Sequence, residues 1–239
     1  STVMLAGFLI LLVMVFGWFR TVINESEAGT YNMQVDTSFR WGMGWFIFSE
    51  VMFFAAFFGA LYYARVFSVP WLGGADPSTS ELLWNNWEAA WPTNGPGELG
   101  GEFTLLDPWK IPALNTLLLL SSGVTITFAH WALKKHQRGA LVLWMLATVA
   151  LGATFLGFQV YEYGEAYSDH HNLTLESGIY GSTFFMLTGF HGMHVTLGTI
   201  MLIVITLRCM KGHFTPERHF GFEAVAWYWH FVDVVWLGL

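Results

Sequence analysis

Charged side chains are scarce in this chain: Asp, Glu, Lys and Arg make up 11% of its 239 residues, whereas 54% are hydrophobic. Ordinary soluble domains carry about 25% charged residues. The single cysteine, Cys209, excludes an internal disulfide and any cluster of cysteine ligands. The chain also lacks a phosphate-binding loop, a nucleophile elbow and an inverted repeat. The composition is that of an integral membrane protein, and no catalytic residue is predicted.

Long uncharged runs dominate what is present. The run Ser177–Leu207 contains no Asp, Glu, Lys or Arg and exceeds the roughly 20 residues needed to cross a bilayer. Backbone polar groups in lipid must be satisfied within the segment, so such runs predict helices. The predicted fold is all-α, a single polytopic transmembrane bundle over residues 1–239. Six helices are predicted: Ser1–Phe19, Trp41–Ala64, Ile111–Leu133, Gly139–Tyr161, Ser177–Leu207 and Ala224–Leu239.

Basic residues orient the bundle, because loops rich in Lys and Arg stay on the cytoplasmic or matrix side. Loops 20–40, 134–138 and 208–223 hold most of the basic residues, whereas the opposite side has only Arg65 and Lys110. Most acidic loop residues lie on that opposite, outer side. The visible N-terminus is therefore predicted to be external. We expect a further helix before Ser1 and a longer final helix than Ala224–Leu239.

One large outer segment is predicted at about 65–110, and it is rich in Gly, Pro, Trp and acidic residues. Gly and Pro favour turns over long regular elements. A short helix is predicted around Ser80–Ala90, beginning at Ser80. The segment is interpreted as a cap on the helices, with a docking surface for a basic soluble partner as the alternative.

Glu50 lies near the middle of a predicted helix, among phenylalanines. A charged carboxylate there costs a few kcal/mol, so the side chain needs a partner or a proton. Two functional interpretations are proton exchange and a polar anchor for lipid or another helix. The alternative is a protonated structural carboxyl that is hydrogen-bonded to a neighbouring helix.

Two histidines, His191 and His194, share one face of the fifth predicted helix. Their separation corresponds to a rise of about 4.5 Å, which is too short to reach two haems stacked across a bilayer. Nearby glycines indicate close helix packing, where histidines form hydrogen bonds across the interface. The pattern favours structural hydrogen bonds, and no metal or haem ligand is predicted.

The final predicted helix carries a polar stripe in which Glu223, Trp227 and His230 repeat at four and then three residues, with Asp233 three further on. Such a stripe normally faces other helices or protein. His230 and Asp233 are predicted to form a buried pair, and interhelical hydrogen bonding is the favoured interpretation.

Several long motifs resemble subunit III of the haem-copper oxidases, as in cytochrome c oxidase. The resemblance covers nearly the whole chain apart from much of 65–105. It lies in FIFSEVMFF at 46–54, IPALNT at 111–116, SGVTITFAHW at 122–131, GIYGSTFF at 178–185, TGFHGMH at 188–194, and HFGFEAVAWYWHFVDVVW at 219–236, which HFT at 213–215 precedes.

The resemblance implies a seven-helix subunit, of which helices two to seven are visible here. In that family the subunit binds no haem or copper, which belong to subunits I and II. The implied role is that of a non-catalytic core subunit of a proton-pumping oxidase, which stabilises subunit I, holds phospholipids between its first two helices and the rest, and supports proton uptake and oxygen access. Implied partners are subunit I, the other subunits, phospholipid and the membrane, with no nucleic acid.

The resemblance also implies residue roles. Glu50 matches the family's intramembrane glutamate, and lipid-contacting positions are Trp18, Arg20, Arg208, Lys211 and His213. His191, His194, Glu223, His230 and Asp233 are expected to be structural. The long outer loop suggests a bacterial inner membrane, with the mitochondrial inner membrane as the alternative. A quinol oxidase subunit, a haem-carrying membrane electron carrier and a transporter are the alternative functions.

Overall fold

The computed structural model describes residues 2–85 and 87–239, and over these residues it contains helices and no strand. The all-α prediction is confirmed. Ser1, the start of the first predicted helix, and Asn86, within the predicted short outer helix, lie outside the described residues. The helices are α1 (Thr2–Glu27), α2 (Met33–Tyr63), α3 (Pro77–Leu83), α4 (Ile111–Lys134), α5 (Arg138–Ala166), α6 (Gly178–Lys211) and α7 (Phe220–Gly238).

Five helices in the described residues are long and apolar enough to cross a membrane: α1, α2 with its extension to Ala75, α4, α5 and α6. The predicted sixth span corresponds to α7, a helix of 19 residues. α7 carries three polar side chains, Glu223, His230 and Asp233. The helix is therefore present, but it is not one of the five spans selected by length and composition.

The chain divides into two compact units, Ser1–Trp45 and Phe46–Leu239. In the first unit, α1 continues past the predicted end at Phe19 to Glu27. The Tyr31 hydroxyl donates to Glu25 Oε2 at 2.7 Å. The Val35 N–H donates to Asn32 Oδ1 at 3.0 Å at the start of α2, which satisfies one of the unpaired amides of a helix N-terminus.

In the second unit, α2 does not stop at Ala64 as predicted. Two π-helical turns, Ala64–Ser68 and Trp71–Ala75, prolong it. In the first, the Val69 N–H donates to Ala64 O, the wide i to i+5 pattern of a π turn. The helix ends where Gly74 adopts φ of 117°, which glycine tolerates best. The outer segment therefore begins about residue 76 and not at 65.

The short outer helix was predicted at Ser80–Ala90, and this prediction is wrong in its bounds. α3 spans Pro77–Leu83, and the Asp76 carboxylate accepts the Thr79 N–H at 3.1 Å. An Asp cap followed by Pro at the first helical position is a strong N-terminal signal. The Thr79 hydroxyl also donates to Asp76, and these bonds hold the pKa of that carboxyl below its usual range.

The rest of this segment packs where α5 ends and α6 begins. The Thr104 N–H donates to His171 O at 2.9 Å, and the Asn172 amide donates to Glu102 O at 3.0 Å. Phe103 and Leu106 contact a small core formed by Ala166, Leu173 and Phe185. This part of the segment is a cap on the helices.

The opposite end gathers two of the basic loops. The Arg138 guanidinium donates to Met210 O, which ties the start of α5 to the end of α6. Gly212 ends α6 at φ of 76°, and the His213 N–H donates to Arg208 O at 3.1 Å, as in common glycine caps. Loops 134–138 and 208–219 therefore meet at one end of the bundle.

The core of the second unit is centred on Trp229, which is fully buried. Its six-membered ring lies against Gly152 of α5 and Gly198 of α6, and its indole N–H donates to Ser122 Oγ of α4 at 2.9 Å. One side chain of α7 thus contacts α4, α5 and α6.

Gly152→Ala is expected to destabilise this core. A Cβ at residue 152 would lie 2.8 Å from the Trp229 ring, whereas a Cβ at Gly157 of the same helix meets nothing within 4 Å. Overpacking of this kind costs about 1–3 kcal/mol. The thermal unfolding midpoint in detergent should fall for Gly152→Ala and stay nearly constant for Gly157→Ala. Equal midpoints for the two variants would contradict the packing described for Trp229.

Candidate functional site

The candidate site is the contact between Glu50 of α2 and His194 of α6. Glu50 Oε2 lies 2.8 Å from His194 Nε2, and the two side chains are 21% and 6% exposed. The residues are 144 positions apart in the chain. The sequence indicated that Glu50 needs a partner, and the structure supplies it from the histidine pair of α6.

The hydrogen-bond partners of His194 define the protonation of the pair. His194 Nδ1 lies 2.6 Å from Phe190 O, and because a carbonyl only accepts, Nδ1 carries a proton. The 2.8 Å contact between Nε2 and Oε2 then requires one further proton, on either the carboxyl or the imidazole. In both forms the pair as a whole is neutral, which removes most of the cost of placing a carboxyl inside a spanning helix.

Aromatic rings surround the pair. Phe53 and Phe54 of α2 lie 5.8 and 5.0 Å from the His194 ring, measured between centroids. Phe53 also contacts Phe190 at 5.1 Å, and the Tyr228 hydroxyl donates to His194 O at 3.3 Å. This part of α2 therefore meets α6 and α7 through long side chains, in contrast to the glycine contacts around Trp229.

His191 lies one turn earlier on α6 and is fully buried. Its Nε2 lies 3.1 Å from Val232 O of α7, to which it donates. The ring packs against Trp236 at 5.1 Å and Phe155 at 5.8 Å. His191 thus joins α6 to α7 through a hydrogen bond to a backbone carbonyl.

The polar stripe of α7 is split between two environments. Trp227 and His230 are exposed, whereas Asp233 is buried and Glu223 is partly buried. His230 Nδ1 and Asp233 Oδ2 are 3.7 Å apart, too far for a good hydrogen bond. The predicted His230–Asp233 pair is present at ion-pair distance, and both side chains approach Gly123. Only Asp233 is buried, because the His230 side chain is 46% exposed.

The predicted lipid-contacting residues of the second unit lie at the basic end. The Arg208 guanidinium stands 4.4 Å from the Phe214 ring, and Lys211 in the last turn of α6 is exposed. His213 is partly exposed in the following loop. In the first unit, Trp18 and Arg20 are exposed on α1, and Trp18 stacks on Phe19 at 6.0 Å.

A second polar cluster was not predicted from the sequence. His130 near the end of α4 meets His219 and Glu223 at the start of α7. The spacing of His219 and Glu223, four residues apart at a helix start, was the available signal. Their meeting with His130, 89 positions from His219, depends on the tertiary packing of α4 against α7.

Comparison with known proteins gives one consistent family. The profile described as "Cytochrome c oxidase subunit III" matches residues 1–239. A protein named "Cytochrome c oxidase subunit 3" from Marchantia polymorpha is 45% identical, covering 100% of this chain and 80% of the relative. Proteins of the same name from Cyprinus carpio and Latimeria chalumnae are 42% and 44% identical, covering 100% and 98% of this chain and 82% and 80% of theirs.

Removing one partner of the Glu50–His194 pair is expected to lower stability. Glu50→Leu or His194→Leu leaves the other buried polar group without its partner, a loss of about 1–3 kcal/mol. The double variant should lose less than the sum of the two single losses. The measurement is a double-mutant cycle of thermal unfolding midpoints, with Glu50→Gln as the control that keeps a hydrogen bond. Strict additivity would show that the two side chains do not interact.

Proposed function

This chain belongs to the cytochrome c oxidase subunit III family, and on that premise we propose that it is a non-catalytic core subunit of a proton-pumping terminal oxidase. The family makes it a subunit of an oxidoreductase complex of the respiratory chain, within an inner membrane. The proposal adds the role of this chain within the complex. The chain stabilises subunit I, binds structural phospholipids, and supports proton uptake and oxygen access.

The observation that carries the proposal is the neutral Glu50–His194 pair. Both imidazole nitrogens of His194 contact oxygen atoms of this chain, and His191 Nε2 donates to Val232 O. Haem ligation requires an imidazole nitrogen that points at the iron. These contacts support the proposal that the histidines of α6 are structural and that redox chemistry belongs to partner subunits that carry haem and copper.

Purification in mild detergent tests this assignment. The chain is expected to copurify with subunits I and II, and the isolated chain should show no haem Soret band. A Soret band that stays with the separated chain would instead favour a haem-carrying electron carrier. Uptake of a solute by proteoliposomes that contain this chain alone would favour a transporter.

Support of subunit I is proposed to take place through the outward apolar faces of the helices. On α6, Met193, Leu197, Ile200 and Val204 are exposed and follow helical spacing. Such a face must lie against lipid or against another membrane subunit. Subunit I is proposed as the main contact of the bundle, with the other subunits and lipid covering the remainder.

Oxygen access is proposed to follow the aromatic surroundings of Glu50. Phe53, Phe57 and Phe190 have ring centroids 5.1–5.2 Å apart. Rings and acyl chains present an apolar region in which oxygen dissolves better than in water. The Glu50–His194 pair fixes this part of α2 at α6 without introducing a net charge.

The proposed host membrane is a bacterial inner membrane, because the outer segment is long and rich in Gly, Trp and acidic residues. The mitochondrial inner membrane is the alternative, and the relatives compared above come from eukaryotes. Cytochrome c is the proposed reductant, in keeping with the family name, and quinol is the alternative. Oxidation rates of the purified complex with each reductant distinguish them.

Glu50→Gln is expected to leave oxygen reduction and proton pumping intact. The Gln amide can donate to His194 Nε2, so the variant keeps the hydrogen bond and loses only titration. Any loss should appear mainly as faster inactivation during turnover or as changed reactivity toward hydrophobic carbodiimides. The measurement is the proton-to-electron ratio in proteoliposomes, together with the turnover lifetime. Loss of pumping with assembly and lipid content unchanged would require Glu50 to act as a proton carrier.

Neutralising Arg208 and Lys211 together is expected to lower the anionic phospholipid that is retained by the purified complex. Basic residues near an anionic surface contribute about 1 kcal/mol each, so two of them alter retention about 30-fold. The matched control is Arg218→Gln, an exposed basic residue of the same end. Lipid mass spectrometry after mild detergent extraction measures the effect. Equal lipid content in all three proteins would contradict the proposed lipid site.

A further inference from the structure

Three side chains converge where the inner end of α4 meets the start of α7. His130 Nε2 lies 3.2 Å from His219 Nε2 and 3.7 Å from Glu223 Oε1. His219 Nε2 lies 3.2 Å from the same Glu223 oxygen. The three atoms form a nearly regular triangle whose corners come from two helices.

These separations fit the edges of a metal coordination tetrahedron. Zinc binds imidazole nitrogen and carboxylate oxygen at about 2.0–2.2 Å, so two ligand atoms of a tetrahedral site lie about 3.3–3.6 Å apart. The observed edges of 3.2, 3.2 and 3.7 Å bracket that range. Two imidazoles and one carboxylate suit zinc and related divalent transition metals, and they do not suit magnesium or calcium.

The ring of His219 is oriented for ligation. Its Nδ1 lies 3.1 Å from Thr215 O, to which it donates, so the neutral ring presents the lone pair of Nε2 to the triangle. A backbone carbonyl in this position is the usual outer support of a metal-bound histidine. Packing also restrains the rings: His130 lies 5.2 Å from His219 and 5.5 Å from Phe222, measured between ring centroids.

We propose that His130, His219 and Glu223 form a binding site for one divalent transition-metal ion of the zinc class. The fourth position belongs to water, because the side chains of His130 and Glu223 are 24% and 15% exposed. The ion would fasten the start of α7 to the end of α4, at the opposite end of α7 from the Trp236 to Thr116 hydrogen bond. This role is separate from the proposed function, since it concerns neither Glu50 nor any electron transfer.

Nearby positive charge makes the carboxylate essential to the site. Lys134 lies one turn beyond His130, and the Arg208 guanidinium lies beside Gly221. Both oppose a cation, and the negative charge of Glu223 offsets them. Glu223→Gln keeps the size of the side chain and removes that charge. His219→Asn removes Nε2 but retains a favourable helix-capping residue with an amide that can donate to Thr215 O.

The test is equilibrium binding of radioactive zinc to the intact complex after its weakly held metal has been removed by a chelator. The unaltered complex is expected to bind one more high-affinity zinc than Glu223→Gln or His219→Asn, with affinity at this site reduced at least about 100-fold in each variant. His136→Asn is the matched control: an exposed histidine at φ of 57°, a conformation that Asn tolerates. Its zinc stoichiometry should be unchanged.

Equal zinc stoichiometry in the unaltered complex and both ligand variants would overturn the proposal, and would leave the triangle as a hydrogen-bonded network. If a variant fails to assemble, the proposal is tested on the unaltered complex alone. Anomalous diffraction at the zinc edge should then place a peak between the three side chains. A zinc-soaked complex with peaks only elsewhere would overturn the proposal. Magnesium is the competing ion, and it should not displace zinc.

Discussion

The position of α7 in the second unit depends on one side chain, Trp229. Its indole occupies space that any side chain at Gly152 or Gly198 would fill, and its N–H meets the hydroxyl of Ser122. In a membrane there is little hydrophobic drive to bring helices together, so close packing at small residues and hydrogen bonds must do it. The Trp229 ring against two glycines supplies the close packing, and its bond to Ser122 supplies the hydrogen bond. The contacts of His191 and Trp236 depend on the register that Trp229 sets.

The candidate site lies where this tight packing stops. Around Glu50, α2 reaches α6 through phenylalanine rings and one polar pair, with no glycine contact of the kind that Trp229 makes. Long side chains adjust more readily than backbones in contact. The arrangement therefore combines a closely packed group of helices, α4 to α7, with a segment of α2 held by ring contacts and one neutral hydrogen-bonded pair. The lipid binding and oxygen access proposed above depend on this contrast in packing.

The sequence predicted helix positions well and side-chain partners poorly, and both outcomes have physical causes. Uncharged runs predicted α4, α5 and α6 to within a few residues, because hydrocarbon imposes helix on any such run. The resemblance of the motifs to oxidase subunit III is confirmed by the family comparison. The continuation of α2 through Pro70 to Ala75 was missed, since proline normally ends a helix and a π turn removes that restriction. The sequence indicated that Glu50 needs a partner. That this partner is His194, with its other nitrogen bonded to Phe190 O, became known only from the tertiary packing. His230 and Asp233 were placed together by helical spacing, which fixes a face but not which part of that face is covered.

The π-helical turns after Tyr63 have a consequence for how related chains can differ in length. Each such turn accommodates one more residue than an α-helical turn within nearly the same rise, so a residue gained or lost there changes the winding locally. The register of α2 around Glu50 lies upstream of both turns and is unaffected. The segment Ala64–Ala75 is thus the natural place for insertions and deletions. A change of length there would leave the intramembrane carboxyl of Glu50 in place.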